Sequence, residues 1–182
     1  MDAALVGTLF FLPALAANAA ALLAKPLQEL RFGGSLDRIL TRGRIALFGD
    51  NKTAAGCVLM VLGALVVGEN IWALHETHSL LPKTFAPLWQ ESVVLWLLLG
   101  VGACFGDLSG SFLKRRIGIA AGKDFWFFDQ IDWFVGAVLA VWLFGHLPSW
   151  DLVAWGALVL ISVRFVLEIP RRVFLTPNRP RA

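Results

Sequence analysis

Five apolar runs, each about 20 residues long, constrain this chain more than any other feature of its sequence. They are Ala3–Ala24, Ala54–Leu74, Leu88–Leu113, Gln130–Leu147 and Leu152–Ile169. A helix of that length crosses the ~30 Å hydrocarbon core of a bilayer. In hydrocarbon every backbone N–H and C=O must find a partner inside the structure, which leaves helices and closed barrels as the only spanning forms. Continuous runs of this length are the helical form. The chain is 58% hydrophobic and 16% charged, and its mean hydropathy of +0.71 lies well above that of soluble domains. The expected fold is all-α and integral to the membrane. It has about five transmembrane helices in one domain over residues 1–182.

The placement of charge gives an orientation. Lys25, Arg31, Arg38, Arg42, Arg44 and Lys52 fall in the first loop, residues 25–53. Lys114, Arg115, Arg116 and Lys123 fall in the third, and Arg171, Arg172, Arg179 and Arg181 in the tail, residues 170–182. Fourteen of the sixteen basic residues therefore share one side if five spans alternate. The positive-inside rule puts that side in the cytoplasm, with the N-terminus outside and the C-terminus inside. The expected location is the cell (inner, cytoplasmic) membrane. The first span reads as a membrane helix rather than a signal peptide, because no basic stretch precedes it. Trp72, Trp89 and Trp150 fall near the outer interface, as an aromatic belt would. Cys57 and Cys104 sit inside spans and read as packing residues.

The segment that carries chemistry is Gly106–Asp132, where Asp107, Ser109, Ser111, Lys114, Arg115, Lys123, Asp124, Asp129 and Asp132 lie between two apolar stretches. Ionisable groups in or at a membrane are costly and usually functional. Asp107, Ser111 and Lys114 are spaced i, i+4, i+7 and share a helix face. Asp107 lies about 10 Å before Lys114 along the axis, below the cytoplasmic interface. Asp129 and Asp132, at i and i+3, share another face. Two carboxylates on one turn repel unless a cation lies between them. Hard oxygen donors among phosphate-binding bases point to Mg²⁺. A structural Asp–Lys pair would explain Asp107 alone, and acids favoured by the helix dipole would explain Asp129 or Asp132 alone. Neither accounts for all three.

A second segment, Gly49-Asp50-Asn51-Lys52-Thr53, precedes the second span. Glycine lets backbone approach a phosphate, and the following helix N-terminus favours an anion. The plainer reading is a helix cap provided by Asp50 or Asn51. Asn18, near the cytoplasmic end of the first span, either faces the same cavity or bonds a neighbouring helix. Arg164 and Glu168, one turn apart, either pair with each other or leave Arg164 to reach a phosphate.

Ser111-Phe112-Leu113-Lys114-Arg115, then Lys123-Asp124, then Asp129-Gln130-Ile131-Asp132 resembles the signature of CTP-dependent phosphatidate cytidylyltransferases, which runs Ser-x-x-Lys-Arg, Lys-Asp and a paired-acid end. Their His-Gly-Gly is replaced here by Trp126–Phe128, and their Arg by Gln130. The CDP-archaeol synthase family is more similar. It shares the chain length, five spans, a Gly-Asp-x-Lys-Thr loop, the Asp-Gln-x-Asp end, and an early Pro and Ala-Asn, here Pro13 and Ala17–Asn18. The last third departs from that family, with Arg164, Glu168, Arg171 and Arg172 where a His and an Asn-containing segment are usual.

The resemblance implies transfer of CMP from CTP to a membrane lipid phosphate, giving a CDP-lipid and pyrophosphate, with Mg²⁺ as cofactor. The residues suit that chemistry. Asp107, Asp129 and Asp132 are the expected metal ligands. Lys114, Arg115 and Lys123 are expected to hold phosphates. Asp50, Asn51, Lys52 and Thr53 are expected to bind the nucleotide, with Ser109, Ser111, Asp124 and Asn18 as further substrate contacts. The expected partners are CTP, the lipid phosphate and the bilayer, with no nucleic acid; a homo-oligomer is compatible with this reading. A CTP-dependent lipid kinase would share the phosphate ligands. A small transporter would place its charges at mid-membrane, often in repeats or broken helices, and no internal repeat is visible. A purely structural subunit would need no cluster of acids and bases.

Overall fold

The computed structural model describes residues 3–23, 34–78, 92–120, 125 and 128–174, without the side chains of residues 78, 92 and 168–174. Lys123, Asp124, Lys25, Arg31, Lys83 and Trp89 lie outside the described residues.

The described chain is helical, with one isolated antiparallel bridge between Ser35 and Thr53. Its helices are α1 (Ala3–Ala20, continued by a 3₁₀ turn at Ala21–Leu23), the short α2 (Leu36–Thr41), α3 (Ala54–His78), α4 (Ser92–Arg116), α5 (Phe128–Leu143) and α6 (Trp150–Phe174). Four of them, α1 with its 3₁₀ turn, α3, α4 and α6, are long and apolar enough to cross a membrane. The expected span Gln130–Leu147 is shorter than the sequence suggested. α5 has 16 residues, about 24 Å at 1.5 Å per residue. Gly145 stops it with a left-handed turn (φ 74°). There the Gly145 N–H donates to the Trp142 carbonyl (3.1 Å) and the His146 N–H to the Val141 carbonyl (2.8 Å), the double bond of a Schellman cap. The apolar run continues past that point, but its backbone does not.

The helices bury one aromatic core. Phe10, Phe11, Trp96, Trp133, Leu95 and Leu99 are fully enclosed, and Phe11 packs on Phe134 with ring centroids 4.8 Å apart. Large apolar side chains also cover the outside, among them Val58, Val66, Val101, Phe105 and Trp142. That arrangement would be a liability in water and is the required one in hydrocarbon.

The closest helix pair is α4 with α5, and it positions the polar segment. Gly102 and Gly106 on α4 face Gly136 on α5. A Cβ added at Gly102 would lie 2.6 Å from both the Gly136 carbonyl oxygen and the Ala140 Cβ. Small residues let membrane helices approach backbone to backbone, so α4 and α5 carry their acids to one level. Gly110 extends the stripe, since a side chain there would strike the Asp132 carboxylate.

Candidate active site

α4 ends where the site needs bases. Gly118 takes a left-handed conformation (φ 81°), and the Ile119 N–H closes onto the Lys114 carbonyl at 2.9 Å. Lys114, Arg115 and Arg116 therefore occupy the last turn of α4, where cations complement the negative end of the helix dipole.

Two ion pairs define the centre. Lys52 Nζ, from the loop before α3, pairs with Asp107 of α4. Lys114 Nζ of α4 pairs with Asp129 Oδ1 of α5 at 2.6 Å, and the other Asp129 oxygen accepts the Phe125 N–H at 2.9 Å. Asp132, one turn along α5, lies within electrostatic reach of Asp107, Lys52 and Asp129. Segments that the sequence separates by 55 residues thus meet at one polar centre. Lys114 is 13% exposed and Asp129 22%, so both charges are largely desolvated. Removing one partner of such a pair costs more than the pair contributes, because the other charge is left buried and alone.

Several expected residues stand nearby in other roles. Ser111 is buried, and Ser109 is exposed. Arg115 is half-buried, and its Nε has no hydrogen-bond partner among the described residues. Arg116 is tied to the first loop, donating to the Ala46 carbonyl at 3.1 Å and lying 5.0 Å over the Phe112 ring. Gln130 is buried with its Oε1 unpartnered among the described residues, while its carbonyl accepts the Trp133 indole N–H at 2.8 Å. Asn18 lines a different cavity with Arg164, one that none of the other candidate residues enters.

The loop Gly49–Thr53 is shaped by a residue that the sequence reading passed over. Asp37 of α2 is buried. Its carboxylate accepts the Phe48 N–H at 2.9 Å and the Gly49 N–H at 2.8 Å. The Gly49 amide is therefore already engaged and is not free for the phosphate that was the alternative to a helix cap here. Leu36 N–H donates to the Lys52 carbonyl at 2.8 Å, and Lys52 N–H to the Gly49 carbonyl at 3.1 Å. The helix cap expected at Asp50 or Asn51 is made instead by Thr53, whose hydroxyl accepts the Gly56 N–H at 3.1 Å. Asp50 and Asn51 stand exposed at the tip of the turn. The effect of this scaffold is to aim Lys52 at Asp107. The only signal for Asp37 in the sequence was an acid set among Arg31, Arg38, Arg42 and Arg44.

Among the described residues no three His, Cys, Asp or Glu side chains stand already assembled around a metal position. The donor chemistry nonetheless suits Mg²⁺, since Asp107, Asp129 and Asp132 offer carboxylate oxygens only. The Lys52 and Lys114 ammonium groups now hold two of those three acids.

A polytopic helical membrane protein with paired acids and bases at one end of its bundle has the equipment of an intramembrane enzyme acting on phosphates. Comparison with known proteins makes the class specific. The profile described as CarS-like, CDP-archaeol synthase, matches residues 1–170. A CDP-archaeol synthase of Methanopyrus kandleri is 39% identical over 156 residues, covering 85% of this chain and 80% of that protein. One of Methanoculleus marisnigri is 34% identical over 164 residues, covering 87% of each. A solved structure described as an intramembrane enzyme for archaeal membrane lipid biosynthesis superposes with a TM-score of 0.65 at 27% identity, over 88% of this chain and 91% of that one. The chain belongs to the CDP-archaeol synthase family, whose members are cytidylyltransferases of membrane lipid synthesis.

Proposed function

We propose that the chain transfers CMP from CTP to an archaetidic-acid-like lipid phosphate, on the cytoplasmic side of the cell membrane. The observation that carries this reading is the meeting of Lys52–Asp107 with Lys114–Asp129 beside Asp132. A phosphate monoester has a second pKa near ~6 and is largely dianionic at neutral pH, so the lipid's own oxygen is the nucleophile. It attacks the α-phosphorus of CTP. The bond from that phosphorus to the oxygen bridging to the β-phosphorus breaks, and pyrophosphate leaves with the electron pair. No proton has to move, and no serine or cysteine nucleophile is required.

The difficulty is bringing two anions together. Lys52 would hold the triphosphate, while Lys114 and Arg115, with Lys123 beyond the described residues, would hold the lipid phosphate and the departing charge. Asp107, Asp129 and Asp132 would hold Mg²⁺, which when bound screens both anions and aligns the displacement. The lysines that now neutralise Asp107 and Asp129 would then turn to substrate phosphates. Orientation rests on the loop charges: fourteen of sixteen basic residues share the side of the site if five spans alternate, and the positive-inside rule assigns that side to the cytoplasm.

The test is turnover of CTP labelled separately at the α and γ phosphates, by purified protein in a bilayer. Saturated and unsaturated archaetidic acids and phosphatidic acid would be offered in turn. Cytidine and α-label in the lipid product, with pyrophosphate released, is the expected result. Transfer of the γ-label alone, with CDP released, would reject cytidylyl transfer in favour of a lipid kinase.

A further inference from the structure

Cys57 and Cys104 face each other across the contact of α3 with α4, directly below the Lys52–Asp107 pair. The register of the two helices places them there. A Cβ added at Gly100 of α4 would lie 2.8 Å from the Ala64 Cβ and 3.1 Å from the Val61 Cα of α3, so the helices approach closely at that level. The same two stretches of chain meet again where Lys52 pairs with Asp107. Residue numbers fall along one partner as they rise along the other, which is antiparallel packing. One turn from Gly100 toward the site is Cys104, and one turn from Val61 in the same direction is Cys57. The Cys104 S–H donates to the Cys57 sulfur. Sulfurs in contact across a close helix pair are placed for a disulfide, which needs Cα atoms within about 7 Å.

The two thiols differ in access. Cys104 is buried and Cys57 half-buried, while the Lys52 and Asp107 side chains above them keep 24% and 20% exposure. A small polar solute entering the polar centre meets Cys57 first, with Cys104 behind it. A reachable thiol backed by a second, resolving thiol is the arrangement of redox-sensing pairs. Cys57 lies five residues after Lys52, and Cys104 three before Asp107. A covalent link between them would therefore tie the base of the Lys52 loop to the turn of α4 that carries Asp107.

We propose that Cys57 and Cys104 are a peroxide-sensitive pair whose disulfide clamps the Lys52 loop onto α4 and slows the enzyme. The oxidant is hydrogen peroxide. The Cys57 sulfur attacks one peroxide oxygen, the O–O bond breaks, and the departing hydroxide takes the Cys57 proton and leaves as water. The resulting sulfenic acid is attacked by the Cys104 sulfur. The S–S bond forms as the S–O bond breaks, and the hydroxide leaves with the Cys104 proton as a second water. In a reducing compartment the pair rests as thiols and closes only under oxidant. The slowing rests on the role proposed for Lys52: a triphosphate held by Lys52 must enter where Asp107 now sits against it, so the loop has to part from α4. The disulfide opposes that parting.

The test uses the full chain, reduced and then treated with hydrogen peroxide in phosphatidylcholine nanodiscs. Remaining thiols are alkylated in denaturant and the peptides mapped by mass spectrometry. The expected product is a peptide linking Cys57 to Cys104, released by dithiothreitol. Exchange of the Lys52 and Gly56 amides, both hydrogen-bonded at the base of the loop, should slow by roughly tenfold on oxidation. CMP transfer from CTP should fall by about tenfold or more and return with the reductant. Cys57→Ala and Cys104→Ala should keep the turnover of the reduced chain and lose the response to peroxide. Four results would overturn the proposal: both cysteines still alkylated after peroxide, a link between two copies instead of within one, full turnover in chains mapped as cross-linked, or an equal loss of turnover under peroxide in both variants. Mapping and exchange need no turnover. A reduced chain that transfers no CMP would therefore reject the proposed function, while those two measurements would still decide whether the clamp closes.

Discussion

Replacing Asp37 tests whether the Gly49–Thr53 loop is a built part of the site. The Asp37 carboxylate accepts two backbone N–H groups, from Phe48 at 2.9 Å and Gly49 at 2.8 Å. Hydrogen bonds to a charged group contribute about 1.5–3 kcal/mol each. Asn at this position keeps one acceptor oxygen and turns an NH₂ toward the second amide, so it loses about one such bond. The Ser35–Thr53 bridge and the Leu36-to-Lys52 hydrogen bond remain, so the loop loosens rather than unfolds. At 1.4 kcal/mol per tenfold, the loss corresponds to an approximately 10- to 100-fold drop in the population that aims Lys52 at the site. For Asp37→Asn, kcat/KM for CTP should fall by that factor, while the melting temperature in detergent changes little because the helix core is untouched. Hydrogen exchange provides a readout independent of activity: the Phe48 and Gly49 amides should lose protection while amides in α4 and α5 keep theirs. Unchanged protection at Phe48 and Gly49, together with unchanged CTP kinetics, would refute the claim that Asp37 holds this loop for catalysis.

The remaining predictions concern the acids, the lysine, the glycine stripe and the orientation. Asp129→Asn and Asp132→Asn, purified and folded, should each lower turnover by about 10²-fold or more, as loss of an electrostatic or metal-positioning group does; full activity would remove them from the site. Lys52→Ala should alter CTP kinetics rather than lipid kinetics, in KM if its contact is equal in ground and transition states and in kcat if it strengthens during reaction. Gly136→Ala should cost about 1–3 kcal/mol by overpacking α5 on α4, since its Cβ would lie 2.7 Å from the Gly106 Cα; this would appear as a lower melting temperature together with lower activity. With Cys57 and Cys104 replaced, labels at Gly43→Cys and Gly122→Cys should react only from the cytoplasm and one at Ser79→Cys only from outside. Labelling of Gly43→Cys from outside intact cells would reverse the topology.

The helices were legible because hydrocarbon imposes a length and a composition on anything that crosses it. Asp107, Asp129 and Asp132 stood out for the same reason, since the medium makes an uncompensated charge expensive wherever it occurs. What the sequence could not show was partnership. Asp107 shares a helix face with Lys114, yet it pairs with Lys52, and Lys114 pairs with Asp129. Helical spacing says which side chains share a face; which neighbour that face meets follows from the Gly102, Gly106 and Gly136 contact, a property of two helices at once. The length of α5 was misread for a related reason: hydropathy runs on past Leu143, while a single glycine conformation decides where the backbone stops. Asp37 was passed over because loop acids are usually solvated, and nothing local distinguishes one that folds back on amides eleven and twelve residues further on. Each of these features depends on contacts distant in sequence, and each bears on how the charges are arranged. The inventory of charged groups follows from the chain alone, whereas their pairing follows from the packing of α4 against α5 and of the first loop against α4.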